Sequence, residues 1–97
     1  MTREEINRFI DSMTWEDYAV RLYDRLYWCI GLCYNPALSK YSIYVFEADW
    51  QTYNSIRDLF AYSSSSRDDC MKHFLEDKYW DGKSFYEVAP DLEWIDL

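Results

Sequence analysis

Two glycines and two prolines are all the backbone punctuation in these 97 residues, and that scarcity removes whole classes of chemistry. Phosphate-binding loops are built on glycine. One stretch of this chain, YWDGKSFYEV at 79–88, suggests such a loop through Gly82-Lys83-Ser84. The pattern G-x-x-x-x-G-K-[ST] requires a first glycine at position 77, to open a cradle of backbone N–H groups. Position 77 is Asp, whose carboxylate repels phosphate, and HFLEDKYW before it has helical rather than strand character. Asp81-Gly82 instead supplies turn residues after a helix, and Ser84 with Glu87 starts a new one. Ala89 lies before Pro90 and is pushed out of the helical region, which keeps that second helix to a few residues.

Other absences narrow the field further. No stretch approaches the roughly 18 apolar residues of a membrane span, and MTREEINRF lacks the apolar segment of a secretory leader. A cytoplasmic location is expected. Three cysteines are an odd number, which argues against a disulfide framework and for buried free thiols. Bases are few: ten Lys and Arg face eighteen Asp and Glu, a net charge of −8. Such a surface repels nucleic acid and anionic membrane and attracts basic surfaces. It also keeps an aromatic-rich domain soluble.

Aromatics are abundant. Five Trp, ten Tyr and five Phe make up 21% of a chain that is 49% hydrophobic. Each ring buries roughly 150–250 Å², so twenty exceed what a single small core can hold, and several must face solvent or a partner. The acid is unevenly placed. Residues 68–97 hold nine acids and three bases, so most of the excess negative charge lies in the last third.

The chain reads as one α+β domain, residues 1–97. Thr2-x-x-Glu5, Thr14-x-x-Asp17, Ser66-x-x-Asp69 and Ser84-x-x-Glu87 each place a hydroxyl three residues before an acid, a helix-start signature. Ile6, Phe9, Ile10 and Met13 predict a first helix over 3–12. Trp15, Tyr18, Ala19, Leu22 and Tyr23 predict a second over 15–25. Cys70, Met71, Phe74 and Leu75 predict a C-terminal acidic helix over 67–78. The middle is β-like: LYWCIGLCY (26–34) and YSIYVFEA (41–48) flank the loop residues NPALSK and predict an antiparallel hairpin. Leu22, Leu26, Cys29, Ile30 and Cys33 also fit a helical stripe; Gly31 and the aromatic density favour strand. RDLFAYS (57–63) is expected to add a third strand and LEWIDL a short extended piece. The expected architecture is two N-terminal helices, a two- or three-stranded antiparallel sheet and a C-terminal helix. Trp15, Leu22, Trp28, Ile30, Ile43, Val45, Phe74 and Leu75 are the expected core.

Candidate chemistry is sparse. Cys29-x3-Cys33 and Cys70-x2-His73 offer four residues of zinc-ligand type. On a strand, however, Cys29 and Cys33 stand about 13 Å apart at roughly 3.3 Å per residue, whereas two thiolates on one zinc at about 2.3 Å each lie within about 4 Å. Only a helical 26–34 brings them together. His73, the one histidine, has Glu76 and Asp77 one turn on, an arrangement that suits a held cation or an acid–base pair. No plausible serine nucleophile or glycine-rich turn accompanies it, so no enzyme, cofactor or metal is expected. Adjacent acids such as Asp68-Asp69 and Glu76-Asp77 point about 100° apart on a helix and read as a charged face.

A chain of about a hundred residues, strongly acidic, aromatic-rich and without catalytic motif resembles the small anti-defence proteins of phages and mobile elements, the anti-CRISPR and DNA-mimic proteins. The resemblance covers size and composition and no motif, so it transfers no functional residue. It implies an inhibitor that occupies the basic nucleic-acid channel of a defence nuclease. Its contact face is expected at Asp68, Asp69, Glu76, Asp77, Asp81, Glu87, Asp91 and Glu93, with a basic protein as partner and no direct contact to nucleic acid or membrane. The alternative is a small accessory or regulatory protein that acts through an aromatic-rich homodimer or partner interface, since interface cores enrich Tyr, Trp and Phe.

Overall fold

The computed structural model describes residues 1–14 and 16–95. Helix α1 (Arg3–Ser12) is followed by four strands, β1 (Tyr18–Leu22), β2 (Arg25–Asn35), β3 (Lys40–Ala48) and β4 (Ser55–Ser64). Helix α2 (Arg67–Glu76), a four-residue α3 (Phe85–Val88), a 3-10 turn (Ala89–Asp91) and β5 (Glu93–Ile95) complete the chain. All pairings are antiparallel, in the order β4-β3-β2-β1-β5.

The expected two N-terminal helices and two- or three-stranded sheet are therefore overturned: the sheet has five strands, and β1 occupies the place of the second helix. The period decided it. Val20 is fully buried in the main core, Tyr18 and Leu22 pack against that core, and Ala19 is buried on the opposite side of the sheet. That is an alternation of two, which a helical stripe through Ala19 and Tyr23 cannot produce. Leu22 pairs with Arg25 across the two-residue turn Tyr23-Asp24. Tyr23 holds φ 56° there and is 79% exposed. A bulky residue in the left-handed region of a hairpin turn gives no Asn-Gly or Asp-Gly signal to read. Thr14 and Asp17, expected to cap a second helix, serve other ends: Thr14 Oγ1 donates to Asp11 O, and Asp17 Oδ1 accepts from Gly31 N at 2.9 Å.

The remaining capping signals hold, but Ala89, expected outside the helical region before Pro90, is a correction: it takes φ −53°, ψ −39° and leads straight into the 3-10 turn. Thr2 and Glu5 form a reciprocal capping box on α1, Ser84 and Glu87 form one on α3, and Ser66 Oγ accepts from Asp69 N at the start of α2. The hairpin β2–β3, strand β4 and helix α2 lie where the patterns placed them. Asp81 and Gly82 both take positive φ in a tight turn, closed by Trp80 N to Lys83 O (3.0 Å) and Lys83 N to Trp80 O (3.1 Å). Gly82-Lys83-Ser84 is a turn and a helix cap.

The three helices pack on one face of the sheet. Phe9, Cys70, Phe74, Phe85 and Val88 meet Val20, Tyr27, Cys29, Ile43 and Val45 in the main core. Aromatic pairs tie this layer together, with Phe9 stacked on Phe85 at 5.6 Å and Tyr27 edge-on to Trp80 at 5.2 Å. Of the expected core, Ile43, Val45 and Phe74 are buried there, and Leu22 and Leu75 pack against it. Trp28 and Ile30 are corrections: they point to the other side of the sheet. Trp28 borders the small cluster Ala19, Leu26 and Ala48, and Ile30 is half-buried. Trp15 lies outside the described residues, as do Asp96 and Leu97 of the expected terminal extended piece.

Candidate functional site

The sheet has two unlike faces. One carries the helices and most of the acids, although Asp58 and Glu93 lie on the other. Among the described residues no helix covers the other. Its rows follow from the register. Ile95, Ala19, Trp28, Phe46 and Asp58 run across all five strands, Ile30, Tyr44 and Ala61 lie one pleat along, and Arg21, Leu26 and Ala48 lie one pleat the other way. Antiparallel side chains alternate faces, so each row shares this face. Tyr44 is 41% exposed, Trp28, Ile30 and Phe46 are half-buried, and Ala61 is exposed. A shallow hollow of about 310 Å³ lies among Ile30, Tyr44, Phe46, Asp58, Phe60 and Ala61. At one end the β3–β4 loop leans in: Tyr53 meets Trp28 edge-on at 6.3 Å, and Arg21 lies over Trp50 at 5.6 Å. Arg21 is also paired with Glu93 on the neighbouring strand. Asp58 has no ion pair among the described residues.

The expected acidic contact face is differently built. Most of its carboxylates are engaged within the chain. Asp81 meets Arg57 at 3.5 Å, Glu93 meets Arg21, and Glu87 meets Lys78 at 2.6 Å. Asp69 accepts from the Tyr62 hydroxyl at 2.6 Å, and Asp77 holds His73 Nδ1 at 2.9 Å. Only Asp68, Glu76 and Asp91 of the eight lack an ion pair or side-chain hydrogen bond among the described residues. The eight lie on α2, on the 77–91 segment and on β5, where Glu93 shares the row of Arg21 on the other face of the sheet. The Lys78 ammonium and the Ser84 backbone N–H hold Glu87 down to a pKa of about 2. Tyr62, bonded to Asp69, is pushed up to about 12, and the same hydroxyl lowers Asp69.

His73 sits in a small polar cluster. Its Nδ1 is held by Asp77, its Nε2 lies 3.6 Å from Asp69 Oδ1, and its ring stacks on Tyr62 at 4.1 Å. Glu76, expected as one of its partners, is not among them. The two ring nitrogens thus face the carboxylates of Asp69 in the first turn of α2 and of Asp77 at its C-cap. Cys29 and Cys70 are buried, and burial raises both thiols; Cys33 is exposed. Residues 26–34 are strand, so Cys29 and Cys33 cannot share an ion, and no three metal-ligating side chains gather among the described residues.

Sequence reasoning did not find the open face. Leu26, Tyr27, Trp28, Cys29 and Ile30 are all apolar, so the alternation that would tell inside from outside is missing. The available signal was the excess of aromatics over core volume. No helix of the described residues is long and apolar enough to cross a membrane. No family model, no curated protein and no solved structure matches the chain.

Proposed function

We propose that this protein is a non-enzymatic protein–protein interaction module, and that its contact surface is the open sheet face centred on Trp28, Ile30, Tyr44 and Phe46. The observation that carries this reading is a five-stranded sheet with apolar side chains on both faces and helices on only one. Apolar surface left in water is unfavourable by roughly 25 cal/mol per Å², and contiguous exposed apolar patches mark binding sites. The face has few charges to read an ionic ligand, which favours an apolar protein surface over a nucleic acid. Three free thiols fit a reducing, cytoplasmic setting.

A second reading keeps the acidic inhibitor of a basic, nucleic-acid-binding surface, as of a defence nuclease. It is favoured by the net charge of −8 and by Asp68, Glu76 and Asp91, which have no ion pair among the described residues. Two double variants separate the readings in a capture experiment with the tagged protein as bait. Tyr44→Lys with Phe46→Lys should abolish capture that depends on the sheet face and is insensitive to salt. Asp68→Lys with Glu76→Lys should abolish capture that depends on charge, which weakens as salt screens it within about 8–10 Å. Loss only in the second variant would replace the first reading with the second.

A further inference from the structure

We infer that the open face pairs with the same face of a second copy of this chain, about a two-fold axis that runs along the strands between β2 and β3. The inference rests on the reading of that face as a protein-contact surface and adds the identity of the partner.

Charge placement supports it first. A chain of net charge −8 resists self-association through most of its surface. Here the acids lie mainly on the helix side and in the segment beyond it. Face-to-face packing puts two sheets about 10 Å apart and leaves both helix layers on the outside. The acidic surfaces are then separated by more than the Debye length of about 8–10 Å.

Register supports it second. A two-fold axis along the strands keeps each row at its own level and exchanges β2 with β3 and β1 with β4. Trp28 is registered with Phe46, and Ile30 with Tyr44. The operation therefore lays Trp28 of one copy on Phe46 of the other, and Ile30 on Tyr44, each contact occurring twice. The largest side chains meet at the centre. At the rim, β1 of one copy lies over β4 of the other. Arg21 then approaches Asp58 of the second copy one pleat away. Asp58 lacks an ion pair within its own chain among the described residues, and Arg21, which also pairs with Glu93 of its own chain, is a cation on this face. The charges are complementary, and symmetry places the pair at both edges.

Area sets the strength. Four strands at about 4.8 Å spacing and about five residues at roughly 3.4 Å give a footprint near 19 by 17 Å. That lies well below the roughly 800 Å² per partner of a standard interface. A reversible dimer with a dissociation constant in the micromolar range or weaker is the outcome, not an obligate one.

The exposed Cys33 offers a native probe. It lies on β2, registered with Ser42, on the open side. In the dimer the two Cys33 positions are about 11 Å apart, from about 4.8 Å laterally and about 10 Å between sheets. The test combines sedimentation velocity over a concentration series with cross-linking by a short bis-maleimide. The expected result is a concentration-dependent dimer that cross-links through Cys33 and loses the cross-link in Cys33→Ser. Phe46→Lys, checked for fold by circular dichroism, should weaken association at least tenfold. Asp58→Arg should weaken it several-fold. A chain that stays monomeric at the highest concentrations overturns the inference; so does a dimer indifferent to Phe46→Lys. If the chain is monomeric but Tyr44→Lys with Phe46→Lys still abolishes capture of another protein, only the identity of the partner fails. If capture is also unaffected, the contact-surface reading fails with it.

Discussion

Gly31→Ala should be among the most damaging single substitutions in this chain, although it adds one methyl group. Gly31 sits at the irregular register between Ile30 and Cys33 of β2, directly beneath the segment that joins α1 to β1. A Cβ there would stand 2.3 Å from Glu16 O and 2.7 Å from Met13 O, both backbone atoms. Carbon–oxygen contacts lie ordinarily near 3.3–3.6 Å, so the segment must retreat by about 1 Å. It cannot do so without stretching Leu32 N to Met13 O (2.9 Å) and Gly31 N to Asp17 Oδ1 (2.9 Å). Overpacking costs about 1–3 kcal/mol, and each hydrogen bond adds about 0.5–1.5 kcal/mol, more for a charged acceptor. The sum is about 2–6 kcal/mol, a large part of the 5–15 kcal/mol typical of a domain. At about 4–8 °C per kcal/mol for this size, the midpoint should fall by at least about 8 °C. Gly82→Ala is the control. Gly82 has φ +84° but nothing within 4 Å of an added Cβ, so only backbone strain of roughly 1–2 kcal/mol applies. Thermal and urea unfolding of both variants decides the matter. A Gly31→Ala protein within 1 kcal/mol of the parent, or more stable than Gly82→Ala, would refute the reasoning.

Three further outcomes follow from the polar clusters. Glu87, held near a pKa of about 2 by Lys78 and Ser84, contributes stability that is present above the ordinary carboxylate range and lost as pH falls through about 2. Lys78→Met should bring its midpoint back toward the ordinary range in a carboxyl-carbon NMR titration, and an unmoved midpoint would remove Lys78 as the cause. Tyr62 titrates near 12 rather than 10.0, so its contribution is present below pH 10 and lost as pH rises through about 12. Asp69→Asn should lower that midpoint, read from the ring-carbon resonance of Tyr62; a midpoint still near 12 would refute the coupling. Ser84→Ala removes a nearly buried cap whose Oγ accepts from Glu87 N, so a loss of about 0.5–2 kcal/mol is expected in urea unfolding; no loss would show the cap to be dispensable.

What the sequence reveals and what it hides divide along local and non-local lines. Helices α1 and α2 are announced by Thr2 and Ser66 and by apolar residues at helical spacing. The hairpin β2–β3 is announced by its aromatic runs and by the loop between them. All of these signals are local in the sequence. Strand β1 fails because Tyr18, Ala19 and Leu22 satisfy a period of 3.6 while Tyr18, Val20 and Leu22 satisfy a period of two, and the turn after them carries Tyr23 where a glycine would have been informative. Pairing decides between the two periods: β1 lies between β2 and β5, and β5 comes from seventy residues further along. The acids show the same limit. Their clustering in the last third is legible, but the partners that neutralise Asp81 and Glu93 are Arg57 and Arg21, which only the folded chain brings near. The open face is hidden for a third reason. An apolar strand gives no parity, so Trp28 and Tyr27 are equivalent on paper and opposite in the fold.

The most direct measurement is a concentration series of backbone amide NMR spectra, repeated at two salt concentrations. The account in which the open face pairs with a second copy predicts shifts that grow with concentration at Ile30, Tyr44, Phe46 and Ala61, little changed by salt, with the amides of Asp68, Lys72 and Glu76 on α2 unmoved. Shifts confined to α2 and suppressed by salt, or spectra that do not change with concentration at all, would contradict it.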